Sequence, residues 1–154
     1  MENIEQGGAE EQSGELCRPD QTIILTQGII RLFTDFGFAP LAEFKLSNGR
    51  RVDVAALDRK GRLIFAEVKS CRADFECDQK WTEYLEFCDE FFFAVDPTFP
   101  KELLPSNEGF ILADRYGAVI QRQAQQRTLA AARRKAVTLR FARQAARRAI
   151  IFAP

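Results

Sequence analysis

Two acidic residues and one lysine in the middle of the chain have the types and the spacing of a hydrolytic site. Asp53 lies in one apolar segment, and Glu67 and Lys69 end the next one as Glu-Val-Lys. Carboxylates on adjacent strands suit a hard cation such as Mg²⁺ or Mn²⁺, which lowers the pKa of a bound water and draws charge from phosphate oxygens. Lys69 shares a strand face with Glu67, where its charge would stabilise the transition state. The pattern predicts metal-dependent hydrolysis of a phosphodiester.

The alternative for these three residues is an ion pair on the surface of a sheet, with Asp53 or Glu67 facing Lys69. The neighbouring residues favour the metal site, because both acids interrupt runs of Val, Ala, Ile and Phe. An ionised carboxylate in such a run costs free energy unless a cation or a hydrogen-bond donor compensates it.

The absence of histidine excludes several other kinds of chemistry. The 154 residues contain no His and four Cys, and the cysteines show neither a CxxC pair nor a zinc-type spacing. Ser-His-Asp catalysis, Cys-His catalysis and histidine-ligated zinc are therefore excluded. Any catalysis must come from carboxylates, lysine and a bound cation.

An uneven distribution of charge points to a polyanionic partner. The formal net charge is zero, but residues 1–16 contain five Glu and no base, whereas residues 115–154 contain ten Arg or Lys and no acid. A basic segment of this kind favours contact with nucleic acid. Most of its charge lies on a helix predicted over residues 128–150, which lacks Gly and Pro.

The basic residues of this helix are predicted to contact DNA phosphates, opposite an apolar stripe of Ala132, Ala136, Leu139 and Ala146. The alternative is a solvated helix whose charge is neutralised by the acidic N-terminal residues. Two basic residues near the acids of the site are added to the predicted contacts. The full set is Arg51, Lys80, Arg133, Arg134, Arg140, Arg143 and Arg147.

Hydropathy and turn residues predict an α/β protein with one folded domain. Residues 1–20 are acidic and poor in apolar groups, which predicts a flexible tail, and residues 21–154 form the domain. A first helix is predicted from Asp20, its expected cap, to Phe36, with Gly37 ending it. Strands are predicted at 41–46, 51–57, 62–69, 91–95, 108–113 and 118–122.

A register requirement follows from the metal-site hypothesis, because Asp53 and Glu67 must lie on the same face of the sheet. A symmetric four-residue loop between Leu57 and Arg62 would place Asp53 opposite Ala66, facing away from Glu67. The hypothesis therefore predicts an odd-numbered loop or a bulge between these two strands.

Residues 74–88 are predicted as one helix, forming a right-handed crossover between strands 62–69 and 91–95. The wholly apolar strand 91–95 fits a mixed sheet with helices on both faces. Lys80 is the residue of this helix predicted to point at the acids. The inner stripe is predicted to consist of Cys77, Trp81, Tyr84, Leu85 and Cys88, with Trp81 and Tyr84 assigned to the core in preference to stacking on a nucleotide.

The order of these features resembles the PD-(D/E)XK nuclease superfamily, whose restriction-endonuclease-like core is a mixed sheet flanked by helices. Three blocks resemble, more specifically, the MmcB family of bacterial DNA repair proteins: GRRVDVAALDRKGRLIFAEVKS, DFECDQKWTEYLEFCDEFFFAV and LAAARRKAVTLRFARQAARR. The resemblance implies that Asp53 and Glu67 bind the metal and that Lys69 supports catalysis.

The first helix departs from the pattern of that superfamily. Many of its members carry a glutamate there, whereas this helix offers Gln27 and Asp35. Glu43, on the first strand, is the nearest glutamate. It is either a third metal ligand or a solvated strand residue.

Two functions follow from these features. The leading one is metal-dependent hydrolysis of DNA phosphodiesters in repair, and the alternative is a non-catalytic module that binds DNA or a repair partner. The missing helix glutamate favours the alternative. The N-terminus lacks the hydrophobic run of a signal peptide, and no segment reaches the ~20 apolar residues of a membrane span, so a soluble cytoplasmic protein is expected.

Overall fold

A computed structural model describes residues 18–151 of the chain. They form a six-stranded sheet whose strands lie in sequence order. Two 3₁₀ helices, Lys80–Phe87 and Lys101–Leu103, occur in the connections. The strands are β1 (Ala39–Lys45), β2 (Arg51–Leu57), β3 (Leu63–Lys69), β4 (Glu90–Val95), β5 (Gly109–Ala113) and β6 (Ala118–Arg122), and the α-helices are α1 (Pro19–Asp35), α2 (Arg72–Cys77) and α3 (Ala131–Ile151).

The sheet is mixed, with helices on both faces. β1, β2 and β3 pair antiparallel, β3, β4 and β5 run parallel, and β6 is antiparallel to β5. α1 packs on one face, and α2, the 3₁₀ helix Lys80–Phe87 and α3 cover the other. The predicted mixed sheet, flanked by helices and followed by a long basic C-terminal helix, is confirmed.

An apolar layer fills the space on each face of the sheet. On the α1 side, Phe33 meets Phe92 of β4 edge to face, with ring centroids 6.3 Å apart. On the other side, Phe44 of β1 contacts both Phe65 of β3 and Phe141 of α3. Burying one such ring contributes about 1.5–3 kcal/mol, so these layers fix both helices against the sheet.

α1 keeps nearly its predicted bounds but not its predicted cap. Arg18 is the N-cap, and Pro19 takes the first helical position, where its missing N–H costs nothing. Asp20 lies in the first turn, where a carboxylate suits the helix dipole. Gly37 ends the helix with a left-handed backbone (φ 83°). Most of the predicted tail, residues 1–20, falls outside the described residues.

The loop between β2 and β3 has five residues, 58–62. Val54 consequently pairs with Ala66, which brings Asp53 level with Glu67. The odd-numbered loop predicted from the sequence is confirmed.

The prediction of a single helix over residues 74–88 is wrong. α2 ends at Cys77, and the chain resumes as the 3₁₀ helix Lys80–Phe87. Asp78 lies at the break with an extended backbone (φ −112°, ψ 100°), and its Oδ1 accepts the N–H of Lys80. Such a local hydrogen bond competes with continuation of the helix. Cys77, predicted in the inner stripe, is exposed.

α3 turns a different face to the sheet from the one predicted. Val137 and Phe141, one turn apart, are its buried residues, because burying them removes more apolar area from water than burying alanines does. Neither α3 nor any other helix within residues 18–151 is long and apolar enough to cross a membrane. The stripe predicted to face inward is exposed instead: Ala132, Ala136, Leu139 and Ala146.

Candidate active site and nucleic-acid surface

β2 and β3 separate at the level of the two predicted acids, and the carboxylates fill the gap. The regular pairing of the two strands ends at Val54 and Ala66. Beyond that point the Asp53 N–H donates to Glu67 Oε2 (3.3 Å), and the Val68 N–H donates to Asp53 Oδ2 (2.8 Å). Each carboxylate takes the place that a main-chain carbonyl would hold in a regular ladder. The two acidic side chains therefore lie together between the strands.

Lys69 ends β3 beside this pair and is only 2% exposed. Its Nζ donates to Asp78 Oδ2 at 2.9 Å and lies 4.0 Å from Glu67 Oε1. The sequence prediction put Lys80 at this place, but the break after α2 brings Asp78 there instead. A buried ammonium group requires anionic partners, and this requirement is the signal that could have pointed to Asp78.

Glu43 lies across from Asp53 on β1, but its carboxylate has another partner. Its backbone is left-handed (φ 53°), and its Oε2 lies 2.6 Å from Arg51 Nε in an exposed ion pair. No group of three or more Cys, Asp or Glu residues that could hold a metal ion occurs within residues 18–151. The negative charge of Glu43 still contributes to raising the pKa of Asp53, but Glu43 does not form a three-acid group with Asp53 and Glu67.

Burial raises the pKa of both central carboxyl groups. For Glu67 the negative charge of Asp53 adds to this effect, and the Lys69 ammonium group opposes it. For Asp53 the hydrogen bond from the Val68 N–H is the main opposing influence. The hydrogen bonds and the Lys69 ammonium group thus do not fully compensate the negative charges of Asp53 and Glu67. Such an imbalance is typical of functional sites.

The pair of acids fits a small, hard cation in the kind and number of its donor groups. Mg²⁺ is commonly bound by one or two carboxylates and keeps several of its waters. Asp53 and Glu67 supply two such groups, and a dication would compensate the charge that burial makes costly.

Replacing Glu67 with glutamine is expected to stabilise the metal-free protein at alkaline pH. The raised pKa of Glu67, about 8, means that the folded protein favours the protonated carboxyl group. The stabilisation of the folded state by protonated Glu67 is complete below the pKa that Glu67 has in the unfolded chain. It is lost as the pH rises through the pKa of Glu67 in the folded protein. Glutamine has no such proton to lose. The melting temperature of Glu67→Gln should exceed that of the unmodified protein by a few degrees at about pH 9 and match it near about pH 4.

Thermal unfolding in EDTA across this pH range measures the difference. Glu76→Gln, an exposed acid on α2, is the matched control. A Glu67→Gln difference that does not change with pH would contradict the expectation.

The comparison with protein families shows where the chain belongs. The model of a family described as "DNA repair protein MmcB-like" matches residues 10–153. The chain belongs to the MmcB-like family. The resemblance noted in the three sequence blocks is thereby confirmed.

Solved structures provide two further comparisons for this MmcB-like chain. The SPO1766 protein of unknown function from Silicibacter pomeroyi is 46% identical, with a TM-score of 0.79, over 87% of this chain and 90% of the other. A repair endonuclease from Pyrococcus abyssi is 16% identical, with a TM-score of 0.33, over 49% of this chain and 38% of the other. The second likeness is too distant to support a conclusion. No curated protein matches the chain.

Arg134, predicted to contact DNA, is engaged within the fold instead. Its guanidinium group donates to both carboxylate oxygens of Asp89 (2.8 and 2.6 Å) and to the Gly61 carbonyl (2.7 Å). Asp89 is buried and also accepts the N–H of Leu63. Arg134 thus ties the first turn of α3 to the β2–β3 loop and to the start of β4.

Arg134→Ala is expected to lower the free energy of unfolding by about 2–4 kcal/mol, because Asp89 would keep its buried charge without a cation. For a chain of this length the melting temperature should fall by roughly 5–15 °C. Arg140→Ala, on the exposed side of the same helix, should change it by no more than about 2 °C. Equal effects of the two substitutions would contradict a structural role for Arg134.

The other predicted arginines of α3 line two grooves, one between α3 and neighbouring elements and one along α3 itself. One groove, of about 450 Å³, is lined by Arg133 and Arg140, and Arg133 also lies over the Phe87 ring at 4.7 Å. A smaller one, of about 290 Å³, is lined by Arg140, Arg143 and Arg147, all three of which are exposed. These four arginines remain the predicted phosphate contacts of the helix.

The remaining predicted residues divide between surface and core. Arg51 and Lys80 are exposed near the site and remain predicted DNA contacts. Trp81 packs against Phe91, with ring centroids 5.9 Å apart, and Tyr84 donates its hydroxyl hydrogen to the Arg51 carbonyl. Trp81 and Tyr84 therefore belong to the core rather than to a stacking surface.

Proposed function

We propose that this protein is a divalent-metal-dependent deoxyribonuclease that acts in DNA repair. The observation that carries the proposal is the meeting of the Asp53 and Glu67 carboxylates with the Lys69 ammonium group where β2 and β3 separate. Membership of the MmcB-like DNA repair family supports the role in DNA repair. The reaction is hydrolysis of a phosphodiester, in which a water oxygen bonds to phosphorus and the bond to the leaving oxygen breaks.

Asp53 and Glu67 are the proposed ligands of Mg²⁺ or Mn²⁺. Asp53 Oδ2 and Glu67 Oε2 accept main-chain N–H groups, which holds both side chains in place and leaves Oδ1 and Oε1 for the cation. When bound, the cation supplies a water of lowered pKa and compensates charge on the phosphate oxygens.

Lys69 contributes a fixed positive charge. Its ion pair with Asp78 fixes the direction of the ammonium group, which lies 4.0 Å from Glu67 Oε1. From this place Lys69 would stabilise the negative charge that the phosphate oxygens carry in the transition state. A lysine in a preformed buried position gives this stabilisation without reorganising during the reaction.

α3 is the proposed surface for the DNA backbone. Its C-terminal half lies beside the site, because the Arg148 guanidinium group donates to the carbonyls of Ala42 and Glu43 on β1. Arg143 and Arg147 are exposed on the same part of the helix. Contacts from arginines to phosphates would hold DNA near the acids without reading its sequence.

A second candidate function is a module that binds DNA without cutting it. One observation favours this alternative: Glu43 is paired with Arg51, so only two carboxylates are positioned for a cation. A site with two protein ligands depends on waters and on substrate phosphates to complete the coordination of the metal.

Cleavage of labelled DNA in Mn²⁺, compared between the unmodified protein and Asp53→Asn, separates the two functions. Asparagine keeps an oxygen that can accept the Val68 N–H but lacks the negative charge. We expect cleavage by the unmodified protein that stops in EDTA and falls at least ~100-fold in the variant. Affinity for DNA in EDTA should be retained by both.

Asp35→Asn, an exposed acid of α1, is the matched control and should cleave normally. Binding without cleavage under all metal conditions would support the module and refute the nuclease. The absence of both binding and cleavage would refute both functions.

A further inference from the structure

A pocket lies at the other end of the sheet from the candidate site. It has a volume of about 470 Å³, within the ordinary range for small ligands, and lies between the end of α1 and the beginnings of β3 and β4. Its wall includes Ile64, five residues before Lys69 on β3, or about 17 Å along the strand. The pocket is on the α1 face of the sheet, whereas α2 and α3 cover the opposite face. It therefore plays no part in the proposed hydrolysis.

Aromatic side chains form the inner surface of this pocket. Phe33, Phe38 and Phe92 are buried and belong to the α1-side core. Phe36 stands at the rim and is 59% exposed, an unusual position for a phenylalanine that follows the end of a helix. The buried rings make the floor of the pocket apolar, and Phe36 offers a flat planar ligand one exposed ring to stack on.

One wall of the pocket is polar and held in place. Glu90 is buried, and its Oε1 accepts hydrogen bonds from Arg62 Nη1 (3.1 Å) and Gln126 Nε2 (3.4 Å). Arg62 also lies over the Phe38 ring at 5.0 Å. Gln123 and Gln126 add exposed amide groups that both donate and accept hydrogen bonds. These groups match the polar edge of a nucleobase.

The rim beside the pocket is basic. An adjoining groove shares Phe36 and Arg62 with the pocket and is also lined by Asp58, Arg59 and Lys60 of the β2–β3 loop. The Asp58 carboxylate lies 3.5 Å from Arg62, which leaves Arg59 and Lys60 as the basic groups of this rim. Both of these are exposed, and neither forms an ion pair with any residue that the structure describes. Aromatic rings beside uncompensated cations are the combination that binds single-stranded nucleic acid.

We propose that this pocket binds an unpaired nucleobase of the DNA, with Phe36 stacking on the base and Arg59 and Lys60 contacting the flanking phosphates. The inference rests on the proposed contact with DNA but not on cleavage. A protein with such a pocket should prefer DNA strands that contain unpaired bases. A base within a duplex would have to leave its stack to enter the pocket.

The test compares two fluorescently labelled single strands of equal length, an oligothymidylate and an abasic strand, by anisotropy in EDTA. Phe36→Ala is expected to weaken binding of the oligothymidylate roughly 10-fold and to leave binding of the abasic strand unchanged, because only a base can stack. Tyr116→Ala, which removes an aromatic ring that is 86% exposed on the β5–β6 turn, is the matched control and should change neither.

Neutralising Arg59 and Lys60 together should weaken binding of both strands and reduce the slope of log affinity against log salt by about 1.4. Equal affinity of the unmodified protein for the two strands, or an equal effect of Phe36→Ala on both, would overturn the inference while leaving the proposed function in place. No binding of either single strand would overturn the inference, and binding of duplex DNA by the same protein would show that the proposed contact with DNA still stands. Self-association abolished by Phe36→Ala, without any base dependence, would assign the pocket to a second copy of the chain and overturn the inference.

Discussion

Lys69→Met reduces the rate of DNA cleavage by roughly 100- to 1000-fold at saturating DNA and Mn²⁺, if the ammonium group acts as proposed. Methionine keeps the length of the buried stem and removes only the charge. Lys69 is 2% exposed, so we do not expect it to take part in the initial capture of DNA. The loss is therefore expected in the single-turnover rate, while affinity for DNA in EDTA stays unchanged.

The control for this experiment is Lys101→Met, which removes an exposed lysine from the 3₁₀ helix that follows β4. Far-UV circular dichroism and the melting temperature establish that both variants are folded. Cleavage by Lys69→Met at the rate of the unmodified protein would remove Lys69 from the reaction. A loss of affinity equal to the loss of rate would make Lys69 a binding residue.

Replacing Arg140, Arg143 and Arg147 with alanine is expected to weaken binding of duplex DNA roughly 100-fold at ~0.1 M salt. Each arginine that contacts a phosphate releases condensed counterions, so losing three should also reduce the slope of log affinity against log salt by about 2.7. None of the three is buried, and the melting temperature should change little.

The matched control removes the same charge elsewhere, from Arg31, Lys101 and Arg115, which are exposed on other elements. A purely long-range effect of net charge would weaken binding equally in both triple variants. A specific surface on α3 requires a much larger effect from the α3 variant. Equal salt slopes in the two variants would remove α3 from the DNA interface.

The common face of Asp53 and Glu67 was predicted from the requirement of a shared metal site, and the covered position of β4 was predicted from a local pattern. Alternation along β2 and β3 fixes which side chains share a face, and the loop between them sets the register. The wholly apolar run that became β4 indicated a covered parallel strand. The second inference depends only on neighbours in the sequence, whereas the first also needed the assumption that the two acids share a cation.

The partner of Lys69 was not predictable from helical periodicity. The residues around Asp78 have helical spacing, and only the hydrogen bonds of Asp78 with Lys69 and with the Lys80 N–H explain why the helix stops there. One of these bonds joins elements that the sequence does not place together.

The prediction of which face of α3 packs on the sheet was wrong for a related reason. Arginines and alanines both recur on several faces of the helix, so the pattern allowed more than one inward stripe. Two tertiary contacts determine which face of α3 packs inward: Phe141 with Phe44, and Arg134 with Asp89. Neither contact can be inferred from the sequence of the helix alone. Arg134, which was predicted to contact phosphate, therefore forms an internal ion pair instead.

The length of the five-residue loop 58–62 limits which insertions and deletions homologous proteins can tolerate there. Adding or removing one residue there would shift the pairing of β2 and β3 by one position and turn the Asp53 carboxylate away from Glu67, whereas a change of two preserves their common face. Homologous sequences that keep both acids should therefore differ in this hairpin by even numbers of residues. Lineages with an odd change should have lost one of the acids as well.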